Sequence, residues 1–306
     1  MLEPELAGWS RAVMDTVVTI RIAAPSRMAS EFDPLVEQAF DWFDAVEAAC
    51  SRFAMDSEVR QLAARVGEPV VLSPILLAAL TVALQVAEHT DGAFDPTIGY
   101  QLSAAGFDRD YRTGEPIKEP CPSQLDCGTR ADLHLDPITG TVILDRPLLL
   151  DLGAVAKGLA IDLAAQELSA LSGATINAGG DAYLLGTDLA GNAWPTGIAD
   201  PLRPGELITE LALADLAIAT SGDYARPGHI VAPTHLVAPR TPPADPLAGV
   251  TVVAPTAMAA DAVSTAVALL GMSAGLSLLA ETEDVDALLV AKSGEVRTTK
   301  GWGSWS

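Results

Sequence analysis

Strand-like and helix-like apolar patterns follow one another irregularly along this sequence of 306 residues. Apolar residues alternate with polar ones over residues 17–23, which predicts a half-buried strand. Helical spacing of apolar residues follows over residues 30–49 and 73–88, and further helices are predicted over residues 154–171 and 257–270. Short strand-like segments lie among these helices without the regular repeat of a doubly wound sheet. The sequence therefore predicts an α+β fold.

Two loop-like segments interrupt these patterns. Residues 108–130 and 222–249 are rich in proline and glycine and show neither the strand period nor the helix period. No tandem repeat is visible. We therefore expect a single domain over residues 1–306; if it has two lobes, their boundary falls in the 108–130 loop.

The charge of the chain excludes several classes of function. It has 18 Lys and Arg residues against 40 Asp and Glu, a formal net charge of −22. Such a charge repels phosphate backbones and anionic lipid surfaces, so we expect no nucleic-acid partner. The apolar stretch 257–272 is shorter than the roughly 20 residues of a membrane span and contains Asp261, so we also expect no membrane insertion.

The beginning of the sequence and its cysteines bear on localisation. The first residues, MLEPELAGWSRAV, are acidic where the start of a signal peptide is basic, and no apolar signal core follows them. Cys50, Cys121 and Cys127 are an odd, sparse set without metal-type spacing, typical of thiols in a reducing compartment. We expect a cytoplasmic protein.

The segment LLLDLGAVAKGLAIDLAAQEL, residues 148–168, has a pattern suited to phosphate binding. It predicts an apolar strand that ends at Asp151, a tight turn at Gly153 and a helix with Lys157 in its first turns. A helix N-terminus offers free N–H groups, and a lysine adds a positive charge for a diphosphate. The alternative is that Asp151 only caps the helix and Lys157 is solvated.

A second segment, AMAADAVSTAVALLG, carries oxygen donors on one face of a predicted helix. Asp261, Ser264 and Thr265 are three and four residues apart, so their side chains project from the same side. Carboxylate and hydroxyl oxygens suit Mg²⁺, which completes its coordination with water and substrate phosphate. The alternative is that Asp261 favours the helix dipole while the two hydroxyls bond back to backbone carbonyls.

Three further polar segments are ordinary turns or loops when each is taken alone. They are HTDGAFDPTIG (89–99), NAGGD (177–181) and ATSGDYARPGHIV (219–231). The last combines Asp223 and His229 with several hydroxyl groups, and a histidine beside a phosphate site can act as a base near neutral pH.

Taken together and in order, seven segments resemble the ApbE family, the FAD:protein FMN transferases. The DLGAVAKGLAID segment is similar to the family's DLGGIAKGYAVD, and NAGGD is identical to the family motif. The seven segments are MDT (14–16), SRFAMDSEVRQLA (51–63), TDGAFDPTIG (90–99), DLGAVAKGLAID (151–162), NAGGD (177–181), ATSGDYAR (219–226) and AADAVSTA (259–266).

This resemblance implies an ApbE-like (T-fold-like) mixed sheet with helices, and an FAD site in the cleft if there are two lobes. It also implies a Mg²⁺ site formed by the backbone carbonyl of Ala154 with Asp261, Ser264 and Thr265. The implied FAD contacts are Met14, Phe53, Ala93, Phe94, Asp95, Asp151, Lys157, His229 and Ile230.

The implied reaction transfers FMN from FAD to a protein. A Thr or Ser hydroxyl in a D-x-x-[ST]-type motif of a target flavoprotein attacks the FMN-side phosphorus, AMP leaves, and a phosphoester-linked flavin remains. Mg²⁺ and Lys157 would hold the diphosphate, since charge neutralisation and positioning dominate phosphoryl transfer. His229 or Asp223 would take the hydroxyl proton.

One departure from the family pattern leaves two other functions open. The family continues from its histidine as HIIDPRTG, whereas this chain reads HIVAPTHLVAP, with Ala232 in place of the acid. The family's common lipid-anchoring cysteine is also missing from this sequence. The alternatives are a Mg²⁺-dependent FAD pyrophosphatase, which releases FMN and AMP, and a flavin-binding protein without turnover.

Overall fold

An eight-stranded antiparallel sheet forms the centre of the computed structural model, which describes residues 6–104, 106–109, 114, 127–222 and 243–305. Every pair of neighbouring strands in this sheet is antiparallel. In spatial order the strands are β1 (Leu6–Val13), β2 (Thr16–Pro25), β6 (Gly173–Ala178), β7 (Asp181–Gly186), β10 (Leu216–Gly222), β11 (Leu247–Ala254), β12 (Asp286–Ala291) and β13 (Val296–Thr298).

Two smaller sheets and the helices complete the described part of the chain. A three-stranded sheet contains β3 (Val70–Val71), β4 (Leu133–Asp136) and β5 (Thr141–Leu144), and a hairpin contains β8 (Trp194–Ala199) and β9 (Leu207–Leu213). The helices are α1 (Ala29–Cys50), α2 (Glu58–Ala63), α3 (Pro74–His89), α4 (Gly99–Ala104), α5 (Gly153–Glu167) and α6 (Ala257–Glu281).

Both faces of the large sheet are covered over strands β10, β11 and β12. Helices α1, α3, α5 and α6 form the main apolar core on one face, and the β8–β9 hairpin with Trp302 covers part of the other face. Strand β11 is buried at all eight positions because it lies between the two layers. A strand covered on both sides has no polar alternation, which is why VTVVA contains a single polar residue, the buried Thr251.

The predicted α+β class is confirmed, and one predicted strand is wrong. The apolar run before Asp151 is buried but forms no strand, because its backbone bonds to the loop after α3 instead of to a neighbouring strand. The Leu149 carbonyl accepts from the Gly99 N–H at 2.9 Å, and the Asp151 N–H donates to the Pro96 carbonyl at 2.8 Å. The helix predicted over residues 154–171 is α5, which ends at Glu167.

Helix α6 consists of two helical halves joined at Gly271, where φ is 81° and ψ is −176°. The first half ends where the sequence predicts, and the second half begins with its N–H groups bonded to Asp245. The Met272 N–H donates to the Asp245 carbonyl at 3.0 Å, and the Ser273 N–H donates to its carboxylate at 2.9 Å. By length and composition alone α6 could cross a membrane. It packs against α5, β10 and β11 and buries Asp261, which is typical of a core helix.

Candidate functional site

The segment that leads into α5 is held by a buried arginine. The Arg52 guanidinium, 5% exposed, pairs with the Asp151 carboxylate and donates to the Phe107 carbonyl at 2.7 Å. It also lies over the ring of Phe53, 4.1 Å from the ring centre. The other carboxylate oxygen of Asp151 accepts the Gly153 N–H at 3.0 Å. Asp151 therefore fixes the start of α5 and joins it to the loop that carries Phe53.

The loop between α3 and α4 packs directly against this segment. A Cβ atom at Gly99 would lie 2.5 Å from the Leu149 carbonyl oxygen, so only glycine permits this approach. Asp95 accepts from the Thr97 N–H at 2.8 Å and from its hydroxyl at 2.7 Å, which makes a rigid turn before α4. Phe94 is buried beside this turn.

Two hairpin turns meet at the same end of the large sheet. The turn between β1 and β2 holds Met14 and Asp15 at φ values of 53° and 58°, and the turn between β6 and β7 holds two glycines. A Cβ atom at Gly179 would lie 2.6 Å from Oγ1 of Thr16, so the two turns touch. Asp181 follows the second turn directly, which places it at this end of the sheet.

Lys157 links α5 to two buried carboxylates. Its ammonium contacts Oδ2 of Asp181 and lies 3.1 Å from Oδ2 of Asp261. Asp181 is 5% exposed and Asp261 is 4% exposed, whereas the Lys157 side chain is 25% exposed. Lys157 is therefore paired with acidic side chains as well as partly exposed to solvent, and the three groups together carry one excess negative charge.

The pKa values of this cluster follow from burial and charge. Burial alone would lower the pKa of Lys157, but the Asp261 and Asp181 carboxylates outweigh it and raise the pKa, so the ammonium stays charged. Burial, with the nearby Asp181 charge, raises the pKa of Asp261, against the opposing effects of Lys157 and the Gly158 N–H. An Asp261 carboxylate short of compensating charge favours binding of a further cation.

Hydroxyl groups of β10 and α6 contact one another within one helical turn of Asp261. The Ser221 Oγ atom is 2.8 Å from Oγ of Ser264 and 3.3 Å from Oγ1 of Thr265. Ser264 is completely buried, and its hydroxyl donates to the Asp261 carbonyl at 2.9 Å, as the alternative interpretation of this helix expects. Thr220, the residue before Ser221 in β10, donates its backbone N–H to Oδ1 of Asp181 on the adjacent strand β7 at 3.2 Å.

Close packing of α5 against α6 brings Lys157 and Asp261 together. A Cβ atom at Gly158 would lie 2.4 Å from the Ala257 carbonyl oxygen and from the Met258 Cα. The N–H groups of Ala257 and Met258 donate to the Asp162 carboxylate at 2.6 and 2.9 Å, so a side chain of α5 caps the first turn of α6.

Replacing Asp162 by Ala is expected to lower the free energy of unfolding by about 1–2 kcal/mol, because two N–H groups of α6 lose their acceptor. Burial raises the pKa of Asp162 to about 6 against the effect of these hydrogen bonds, so the comparison is best made at pH 8, where the carboxylate is ionised. Urea unfolding followed by circular dichroism measures the change. The exposed Gln166→Ala on the same helix is the control; equal stability of the two variants would contradict the capping role.

The structure describes most of the residues predicted for the site. Ala154, Asp151 and Lys157 lie on or just before α5, and Asp261, Ser264 and Thr265 lie on the facing turns of α6. Phe53 lies next to Arg52, which pairs with Asp151. The segment from Ala93 to Asp95 lies in the α3–α4 loop, which bonds to the backbone of residues 149–151. Met14 lies in the β1–β2 turn. Predicted residues Asp223, His229 and Ile230, together with Ala232, lie outside the described residues.

Two residues of the site were missed by sequence reasoning. In the sequence, Arg52 is one residue of the SRFAMDSEVRQLA segment, and Asp181 ends the NAGGD turn. Their sequence signals are a cation between Ser51 and Phe53 and an acid immediately after two glycines. Neither signal reveals the partner, because Arg52 pairs with a residue 99 positions away and Asp181 with one 24 positions away.

Residues that could hold a divalent cation are of mixed chemistry. Within the described ranges no group of three His, Cys, Asp or Glu side chains is arranged for a metal ion. The predicted donors are instead one carboxylate, two hydroxyls and a carbonyl, and the adjacent carboxylates exceed the ammonium by one charge. This set fits Mg²⁺, which prefers oxygen ligands and takes few of them from the protein.

The fold and the site define an antiparallel-sheet α+β protein with a lysine and oxygen donors suited to an anion and a hard cation. The chain belongs to the ApbE family, whose sequence model matches residues 14–289.

Relatives and solved structures agree with this assignment. An FAD:protein FMN transferase of Treponema pallidum is 32% identical over 96% of this chain and 87% of its own length. One from Haemophilus influenzae is 30% identical over 97% of this chain and 90% of its own length. The solved ApbE protein of Thermotoga maritima has a TM-score of 0.80 at 25% identity, covering 98% of this chain and 99% of its own. Flavin transferase ApbE from Vibrio cholerae has a TM-score of 0.81 at 24% identity, covers 99% of both chains and shows the same fold.

Proposed function

We propose that this protein transfers FMN from FAD to a Thr or Ser hydroxyl of a target flavoprotein and releases AMP, with Mg²⁺ as cofactor. The names of the Treponema pallidum and Haemophilus influenzae relatives support the transferase activity. The observation that carries the proposal is the Lys157 ammonium between Asp181 and Asp261, with Ser264 and Thr265 one helical turn from Asp261 on α6. Such a site can bind a diphosphate and a hard cation side by side.

The geometry of α5 supports a contribution from the Ala154 carbonyl. In an α-helix the N–H of each residue faces the carbonyl four residues earlier. Gly158 packs against Ala257 and Met258, in the turn of α6 that leads to Asp261. The Ala154 carbonyl therefore belongs to the side of α5 that faces Asp261, as a shared cation would require.

In the proposed reaction the acceptor hydroxyl oxygen forms a bond to the FMN-side phosphorus, and the bond from that phosphorus to the bridging oxygen breaks. AMP leaves with the bridging oxygen. Lys157 would hold a diphosphate oxygen through a donor not used by its carboxylate partners, since an ammonium has three. Bound Mg²⁺ would neutralise the charge that develops on the diphosphate. His229 or Asp223 remains the predicted acceptor of the hydroxyl proton.

The test is to incubate the protein with FAD, Mg²⁺ and an acceptor domain that carries a D-x-x-[ST] motif. We expect AMP release together with a gain in acceptor mass equal to FMN less one water, and no gain when EDTA is present. An acceptor whose motif Thr or Ser is replaced by Ala is the control. AMP with free FMN and an unmodified acceptor would instead identify a pyrophosphatase, and intact bound FAD would identify a flavin-binding protein.

A further inference from the structure

Asp181 stands out among the charged residues of the site because no part of the proposed reaction uses it. Its carboxylate contacts the Lys157 ammonium, which also lies 3.1 Å from Asp261, the predicted cation ligand. We propose that Asp181 is a positioning residue that holds Lys157 away from Asp261 when a divalent cation binds there. The inference deepens the proposed function and rests on it for the identity of the cation.

Asp181 itself is held firmly. It is the first residue of β7, directly after the two-glycine turn, and its register partner is Ala178. Oδ1 accepts the Thr220 N–H at 3.2 Å from the neighbouring strand β10, which leaves Oδ2 for the ammonium. A carboxylate fixed by a sheet on one oxygen presents the other at a constant position. The flexible partner in this pair is therefore the four-carbon side chain of Lys157.

The arrangement of charges gives Asp181 its role. Without a cation, one ammonium serves two buried carboxylates, so one negative charge is in excess. A divalent cation at Asp261 would repel an ammonium 3 Å away from the same carboxylate. Lys157 can leave Asp261 without becoming a buried, unpaired charge only because Asp181 remains beside it. Asp181 thus lets the cation and the lysine occupy the site together.

The same arrangement prepares Lys157 for an anion. Its side chain is 25% exposed, whereas both carboxylates are almost completely buried. Held by Asp181 alone, the ammonium has two free donors and stays beside the cation. A diphosphate would then meet the divalent cation and the ammonium as neighbouring positive charges.

The competing interpretation is that Asp181 binds the cation directly. The two interpretations differ in whether the effect of Asp181 depends on Lys157. If Asp181 acts through Lys157, its removal matters only while the lysine is present to compete for Asp261. If it is a ligand, its removal weakens cation binding in either case. A double-mutant cycle separates these outcomes.

The experiment measures Mn²⁺ binding by electron paramagnetic resonance, without FAD or acceptor, in four proteins: unchanged, Asp181→Asn, Lys157→Met and the double variant. We expect Asp181→Asn to weaken Mn²⁺ binding about tenfold, since Lys157 then pairs with Asp261 alone. Lys157→Met should bind Mn²⁺ more tightly than the unchanged protein. In the Lys157→Met background, Asp181→Asn should change the affinity by less than about threefold. Equal weakening in both backgrounds would overturn the inference and make Asp181 a ligand.

Two controls keep the result interpretable. Asp41→Asn removes one exposed carboxylate from helix α1, and we expect it to leave Mn²⁺ affinity unchanged. Circular dichroism checks the fold of each variant; should Asp181→Asn not fold, a Lys157→Met protein that binds Mn²⁺ no more tightly than the unchanged one still overturns the inference. A protein that shows this cycle but transfers no flavin would contradict the proposed function and leave the role of Asp181 standing.

Discussion

Replacing Asp261 by Asn is expected to lower the rate of flavin transfer by about 10²–10³-fold, equivalent to ~3–4 kcal/mol of transition-state stabilisation. The amide keeps the shape of the side chain but removes the one carboxylate among the predicted Mg²⁺ ligands. The remaining donors, two hydroxyls and a carbonyl, are neutral and bind a hard cation weakly. Initial rates of AMP release with saturating FAD, over a range of Mg²⁺ concentrations, measure the effect.

The control for this variant is Asp284→Asn. Asp284 lies in the exposed turn after α6 at φ 55°, a conformation that Asn accepts readily, so this change removes the same charge without touching the site. We expect its rate to match the unchanged protein. Retention of full activity by Asp261→Asn at low Mg²⁺ would remove Asp261 from the cation site and leave the proposed function without its main support.

Replacing Gly158 by Ala is expected to lower the free energy of unfolding by about 2–3 kcal/mol, although Ala normally favours a helix over Gly by about 1 kcal/mol. The added methyl group would lie 2.4 Å from backbone atoms of Ala257 and Met258, which a side-chain rotation cannot relieve. Helices α5 and α6 would have to separate. Urea unfolding followed by circular dichroism measures the loss, and Mn²⁺ affinity measures how far Lys157 and Asp261 have moved apart.

Gly8→Ala in strand β1 provides the matched comparison. A Cβ atom there would have its nearest neighbour at 3.6 Å, an ordinary contact, and the residue is exposed. We expect its unfolding midpoint to stay within experimental error of the unchanged protein or to rise. If Gly158→Ala behaves in the same way, the two helices have room to adjust, and close packing does not set the distance between Lys157 and Asp261.

The helices of the site were predictable because their sequences are long, apolar and rich in alanine, a good helix former, although α5 and α6 have almost no amphipathic period. The same helical geometry places Asp261, Ser264 and Thr265 on neighbouring turns of one helix without any structure. The pairing of Lys157 with Asp261 was not predictable from spacing, because 104 residues separate them and nothing local records the contact. The family resemblance supplied that proximity, and the packing at Gly158 gives its physical cause.

The edge strand β1 and the separate hairpin strand β8 were harder to predict than the centre of the large sheet. Strand β1 does alternate, but its inward positions include Arg11, which pairs with Glu37 and Asp44 of helix α1 instead of packing as an apolar residue. Strand β8 contains a proline and a glycine, Pro195 and Gly197, which argue against a strand in a single sequence. In both cases a tertiary contact outweighs the local pattern.

The run Leu148–Leu150 shows the opposite error. Three buried leucines in a row predict a core strand, yet they cover the core while their backbone bonds to the loop after α3. An apolar run predicts that its side chains are buried, but it does not predict which segment its backbone groups bond to.

Helix α5 and the segment leading into it are attached to three other parts of the chain. Asp151 pairs with Arg52 in the loop after α1, and Lys157 contacts Asp181 of β7. Lys157, Gly158 and Asp162 all contact the first turns of α6. A fifteen-residue element with such diverse attachments cannot loosen at one end without disturbing the rest. Binding of a nucleotide and a cation at the site would then stabilise the whole molecule. A ligand that binds only the folded state shifts the folding equilibrium towards that state. The thermal stability of this protein should accordingly increase with the concentration of its own substrate.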